Sequence, residues 1–141
     1  MPIFLERRTA ARGSKLDKNG YAISGKVNLP DGRIYIGSFE KGKLTGKNSK
    51  MYFPNGDVFT GEVKDGEIVN GTMTYKKYYR DLFTKYTGPF KNGIPVSFGR
   101  FYYPQPNMWC EGFIINGLPN GNGTLHCNGK DTKYNFKDGL I

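Results

Sequence analysis

Glycine recurs beside an aromatic or aliphatic residue at a nearly fixed interval, and this periodicity restricts the fold more than any other feature of the chain. In the stretch YIGSFEKGKLTG, Tyr35, Gly37, Phe39, Gly42 and Gly46 set the frame. It returns in YTGPFKNG as Tyr86, Gly88, Phe90 and Gly93. Looser copies are FTGEVKDG, with Phe59, Gly61, Val63 and Gly66, and CEGFIING, with Cys110, Gly112, Ile114 and Gly117. Leu16 opens the series, and Phe136 with Gly139 closes it. The anchors Leu16, Phe39, Val63, Phe90, Ile114 and Phe136 are 23, 24, 27, 24 and 22 residues apart. Such a period belongs to architectures that stack one small supersecondary unit on the next.

Each copy reads as a β-hairpin. The glycine three residues after the anchor supplies the positive φ of a tight turn. A second glycine, nine residues after the anchor, is expected to sit opposite it, so that the anchor covers a partner with no side chain. Gly25, Gly99 and Gly123 hold that place, and Asn48 takes it in the first clear copy. Gly88 and Gly112 are expected to lie beside neighbouring rings or to need a bare backbone. Pro30-Asp31-Gly32, Pro54-Asn55-Gly56 and Asn128-Gly129 then turn the chain into the next hairpin. Twenty glycines, ten tyrosines and ten phenylalanines, with no long Ala/Leu/Glu run, argue against a helical bundle. The expected fold class is all-β, a single antiparallel sheet of stacked hairpins over residues 14–141, preceded by a basic arm over residues 1–13. At 141 residues one domain is expected.

The pattern resembles the MORN repeat, whose copies run Tyr-x-Gly-x-Phe/Trp-x-x-Gly-x-x-x-Gly-x-Gly. The resemblance covers roughly residues 14–141 and is most specific at 35–46, 86–99 and 110–123, where Gly117, Gly121 and Gly123 complete the tail. Asn48, Ser97 and Cys110 depart from the pattern, and one residue is missing before Gly71. The resemblance implies an elongated, twisted sheet used as an interaction or scaffold module. The lipid-kinase and lysine-methyltransferase domains to which such modules are attached do not fit in this chain.

The chemistry that glycine-rich and Cys/His sequences sometimes carry is not supported. GKLTGKNS over residues 42–49 is similar to a phosphate-binding loop, but Lys41 and Asn48 occupy the places where glycine and Ser/Thr are required. Gly121-Asn122-Gly123 has no helix pattern after it, as a dinucleotide fingerprint needs. Cys110, His126 and Cys127 offer neither four ligands nor a Cys-x-x-Cys pair for zinc. The two cysteines are expected to be reduced thiols, near cross-strand partners packed in the sheet, and His126 an exposed strand residue. No catalytic residue, metal site or cofactor is assigned. The Asn-Gly-Thr sequons at Asn70 and Asn122 read as turn chemistry. No run of eighteen apolar residues and no signal core after Met1 is present, so an intracellular, cytoplasmic or cytoskeletal location is expected, without secretion or a transmembrane segment.

A net charge of +9 favours acidic partners. Two basic segments are candidates. One is the arm, with Arg7, Arg8 and Arg12. The other is TMTYKKYYRDLFTKYTG, which interleaves Tyr75, Tyr78, Tyr79 and Phe83 with Lys76, Lys77, Arg80 and Lys85. Interleaved rings and cations suit stacking on bases beside phosphate. Strand alternation with a turn near Arg80-Asp81 gives the same composition while only placing rings on a sheet. The leading expectation is a non-enzymatic scaffold or adaptor, a small structural subunit joining protein partners in a larger assembly. A peripheral tether on acidic phospholipid is the alternative, nucleic acid the second, and homo-oligomers through the sheet ends are a further expectation.

Overall fold

The computed structural model describes residues 12–16, 18 and 22–140, which form thirteen strands and no helix. They are β1 (Arg12–Leu16), β2 (Ala22–Asn28), β3 (Ile34–Glu40), β4 (Lys43–Leu44), β5 (Gly46–Tyr52), β6 (Val58–Lys64), β7 (Glu67–Tyr79), β8 (Phe83–Lys91), β9 (Ile94–Pro95), β10 (Ser97–Tyr102), β11 (Met108–Ile115), β12 (Leu118–Cys127) and β13 (Lys130–Phe136). They make one open antiparallel sheet in chain order, in which the short β4 and β9 pair back on β3 and β8 at hairpin tips. The chain packs as two compact units, one up to Asn70 and one from Gly71. β1 begins at Arg12, inside the stretch expected to be an arm, and pairs there with Lys26 of β2. Arg7 and Arg8 lie outside the described residues.

The repeat glycine after Phe39, Val63, Phe90, Ile114 and Phe136 closes a two-residue turn with φ positive at both positions. Lys41 and Gly42 have φ of 50° and 82°, and Asn92 and Gly93 have 53° and 80°. Asp65-Gly66, Asn116-Gly117 and Asp138-Gly139 repeat this geometry. Its twist matches that of the flanking strands, which is why this turn type joins hairpins. Neighbouring tips are tied by backbone bonds, from Gly66 N–H to the Leu44 carbonyl and from Gly139 N–H to that of Pro119, both 2.9 Å.

Strand alternation sends one row of side chains per pleat to the buried face. In the first unit Val27, Tyr35, Met51 and Phe59 are successive cross-strand partners on β2, β3, β5 and β6. In the second, Tyr86, Phe101, Cys110 and Leu125 form the equivalent row on β8, β10, β11 and β12. All eight are buried.

The glycine nine residues after the anchor does not face the anchor. The two-residue turn forces the anchor opposite the residue five positions on, as in Phe39↔Leu44, Phe90↔Pro95 and Ile114↔Pro119. A bulge between Gly112 and Ile114 then shifts the register by two, and Gly123 meets Gly112. Around Gly88 and Gly99 the ring accommodated is the tyrosine that opens the motif, whereas a Cβ on Gly123 would meet the Phe136 ring at 3.0 Å. A Cβ on Gly88 would stand 2.5 Å from Tyr86 Oη, and one on Gly99 would strike the same ring. In the first copy Ser49, not Asn48, takes the place across from the glycine, and its Oγ lies 2.9 Å from Tyr35 Oη. Gly112 departs from expectation: the nearest atom to an added Cβ is 3.8 Å away, an ordinary contact.

Two further expectations are corrected by the strand bounds and by which faces the strands present. Cys110 is buried opposite Leu125, two residues from Cys127 on the paired strand, and both thiols are free, but Cys127 is exposed rather than packed in the sheet. Burial pushes the Cys110 thiol up to about 11, which keeps it protonated and unreactive at neutral pH. Asn70 and Asn122 lie within β7 and β12 rather than in turns.

Burial raises the phenols of Tyr35, Tyr86 and Tyr103 above their ordinary range. A group whose folded-state pKa is raised contributes stability that is fully present below its unfolded value, about 10 for tyrosine, and lost as pH rises through the folded value. Thermal midpoints are therefore expected to be level from pH 7 to 9 and to fall steadily above about pH 10. A midpoint that is constant across the tyrosine range, followed by scanning calorimetry, would contradict this burial.

Candidate functional site

The basic-aromatic segment is a hairpin of β7 and β8 whose turn falls at Arg80-Asp81, with φ of 51° and 59°. Its rings do not share one exposed surface. Phe83 is fully buried, with its ring 4.7 Å from Phe101 and 5.1 Å from Tyr103, and is withdrawn from partner contact. Tyr75 stacks on Tyr79 at 4.8 Å. Tyr79 is half-buried and donates its hydroxyl to the Gly117 carbonyl at 2.9 Å, while burial raises its phenol. Arg80 lies 5.4 Å from the Tyr79 ring and donates to the Asn116 carbonyl at 3.1 Å. Lys85 packs 4.3 Å from the Tyr102 ring. Lys76, Lys77 and Tyr78 remain exposed. Tyr79 and Phe83, flanking the tight turn, lie toward the covered side of the sheet while Tyr78 stays exposed, the outcome that alternation alone predicts. Arg12 lies in β1.

The other face of the second unit carries an ordered set of side chains between the buried rows. Partners across β8, β10, β11, β12 and β13 run Lys85, Tyr102, Trp109, His126 and Asp131, and one pleat along, Thr87, Arg100, Glu111, Thr124 and Lys133. Arg100 binds Glu111 Oε1 through Nε at 3.2 Å and Nη2 at 2.7 Å. Burial lowers the Arg100 pKa, but the hydrogen bonds and charge of Glu111 together with Tyr102 outweigh it, so the guanidinium is held above its ordinary value. The same guanidinium lies 3.6 Å from the Trp109 ring centre, and His126 stacks on that ring at 4.6 Å, nearly parallel, with Nδ1 2.5 Å from Asp131. Half-buried rather than exposed, His126 is a member of this ladder. Because Trp109 is already stacked, it offers an edge more than a free platform for a base.

Beyond these rows Phe98 of β10 and Phe113 of β11 face each other, edge to face at 5.2 Å, and are 45% and 64% exposed. Two concavities open on the unit. One, of about 540 Å³, is lined by Phe98, Glu111, Asn122, Thr124, Lys133 and Asn135 among others. The second, of about 360 Å³, lies against Lys85, Tyr102, Trp109, His126 and the loop carrying Pro104 and Pro106. The sequence reading missed Phe98, Arg100, Trp109 and Phe113. Their signal is present: they alternate with Gly99, Phe101, Cys110 and Gly112, whose inward position the repeat frame fixes.

Among the described residues no helix is long and apolar enough to cross a membrane. No curated protein matches the chain. The MORN repeat family model matches residues 35–47, 86–105 and 110–132, which hold the Tyr86–Gly88–Gly99 packing and the β11–β12 register described above. MORN repeats generally serve in protein–protein or membrane-lipid interactions, and the family is generally non-enzymatic. The chain carries MORN repeats at these three stretches, set within the periodic frame and tip turns described above.

Proposed function

We propose that this protein is a non-enzymatic scaffold or adaptor, a small structural subunit that holds a protein partner on the outer face of β10 and β11. The observation that carries this reading is the Phe98–Phe113 pair, two large exposed rings in contact and flanked by the Arg100–Glu111 ion pair. An aromatic centre with arginine and a polar rim is the usual anatomy of a stable protein interface. Contact buried in this way is not screened by salt, so a partner recovered with the protein is expected to stay bound as salt rises.

A second reading is favoured by the exposed Lys76 and Lys77 and the net charge of +9: docking on acidic phospholipid. Each basic group near an anionic surface contributes about 1 kcal/mol, and salt screens the attraction. Flotation with phosphoinositide vesicles and recovery of native partners, each repeated at rising salt, separates the two. The scaffold reading expects salt-resistant protein recovery that is unaffected by replacing Lys76, Lys77, Arg80 and Lys85 with Ala. Strong flotation that vanishes in this variant, with no salt-resistant protein partner, would replace the scaffold by a membrane tether.

A further inference from the structure

The concavity of about 540 Å³ on the outer face of β10–β13 lies within the range of small-molecule sites, roughly 300–1,000 Å³. Its lining has an unusual chemistry for so basic a chain. Lys133 and Glu111 are its charged side chains, of opposite sign, so the groove itself is neutral. Asn122 and Asn135 are direct cross-strand partners, and with Thr124 and Lys133 they make no side-chain hydrogen bond to another described residue. Each amide presents donors and an acceptor, the hydroxyl presents both, and the ammonium only donates. Glu111 is held in place by Arg100, and both bonds from Arg100 go to Oε1, so Oε2 is available as an oriented acceptor. The exposed ring of Phe98 forms one wall.

We infer that this groove is a binding site for a neutral saccharide. A sugar ring has an apolar C–H face and an edge of hydroxyls, each of which donates and accepts at once. Phe98 offers a surface for the first, and the mixed set of Asn122, Thr124, Lys133, Asn135 and Glu111 matches the second. An anionic headgroup would gain one cation here and meet the Glu111 carboxylate. An extended peptide would seek backbone partners, whereas β12 has strands hydrogen-bonded on both sides and offers the groove side chains alone. The groove shares Phe98 and Glu111 with the face proposed for a protein partner, but sugar binding is read on the chain alone and so stands or falls without that partner.

The test is an amide NMR titration of the full chain with millimolar neutral oligosaccharides of glucose, mannose and N-acetylglucosamine. Inositol trisphosphate and an uncharged extended peptide serve as the comparison arms. At least one oligosaccharide is expected to give saturable shifts centred on residues 122–124 and 133–135. The N122A/N135A double variant is expected to weaken that binding at least tenfold while its spectrum elsewhere stays that of the parent, and Phe98→Leu is expected to weaken it about threefold. If the double variant fails to fold, Thr124→Val and Glu111→Gln serve in its place. Absence of saturable shifts with every sugar, shifts centred elsewhere, or tighter binding of the phosphate or the peptide at this groove would each overturn the inference.

Discussion

Gly88→Val is expected to destabilise the protein by about 3–5 kcal/mol, with a fall in thermal midpoint of roughly 10–20 °C. Two effects add. The backbone at Gly88 has φ of 152°, which side-chain-bearing residues rarely adopt, and the added Cβ would enter the Tyr86 phenol. Tyr86 has little freedom to move, since its hydroxyl donates to the Pro89 carbonyl at 2.9 Å and its ring packs against Phe90 and Phe101 at 5.1 and 4.7 Å. Gly112→Ala is the matched control. A Cβ there meets ordinary contacts at 3.8 and 3.9 Å without a strained φ, so the change is expected to cost under about 1 kcal/mol. Circular dichroism melts of the two variants decide the matter. Equal midpoints would mean that the tyrosine–glycine packing is not what fixes the repeat.

The second large effect concerns the surface. Replacing Phe98 and Phe113 together by Ala is expected to leave the melting temperature within about 2 °C of the parent, because both rings are largely solvated and surface changes of this kind are worth about half a kcal/mol. Affinity for a protein partner is expected to fall by about thirtyfold or more, the loss of about 2 kcal/mol that truncating an interface aromatic produces. Titration of the purified partner into both forms reads the ratio directly. An unchanged affinity with an unchanged fold would remove this pair from the interface.

Much of this architecture is legible in the spacing of glycines. A turn with two positive φ values admits few residue types, so the positions of Gly42, Gly66, Gly93, Gly117 and Gly139 along the chain are enough to mark the hairpin tips. The partner of each +9 glycine is not legible. A bulge shifts register by two without an obvious signal in the chain, and it changes Gly123 from a partner of Ile114 into a partner of Gly112. The surface is harder still, because local composition does not separate the faces of a strand. Tyr75, Tyr79 and Phe83 draw attention as a cluster with lysines, yet Phe83 belongs to the core and the other two stack against it through Phe101. Phe98, Arg100, Trp109 and Phe113 are spread thinly over two strands. They come together only when β10 and β11 are set side by side with Gly99 opposite Gly112.

On the reading proposed above, the outer face of β10 and β11 receives a protein. Site-specific photocrosslinking in the native source tests it most directly, with the reactive group at position 113 and a comparator at position 91, in the β8–β9 tip. One predominant protein adduct is expected from position 113 at moderate salt, absent from position 91 and lost when Phe98 and Arg100 are replaced by Ala. Adducts confined to lipid, or an equal yield from both positions, would contradict it.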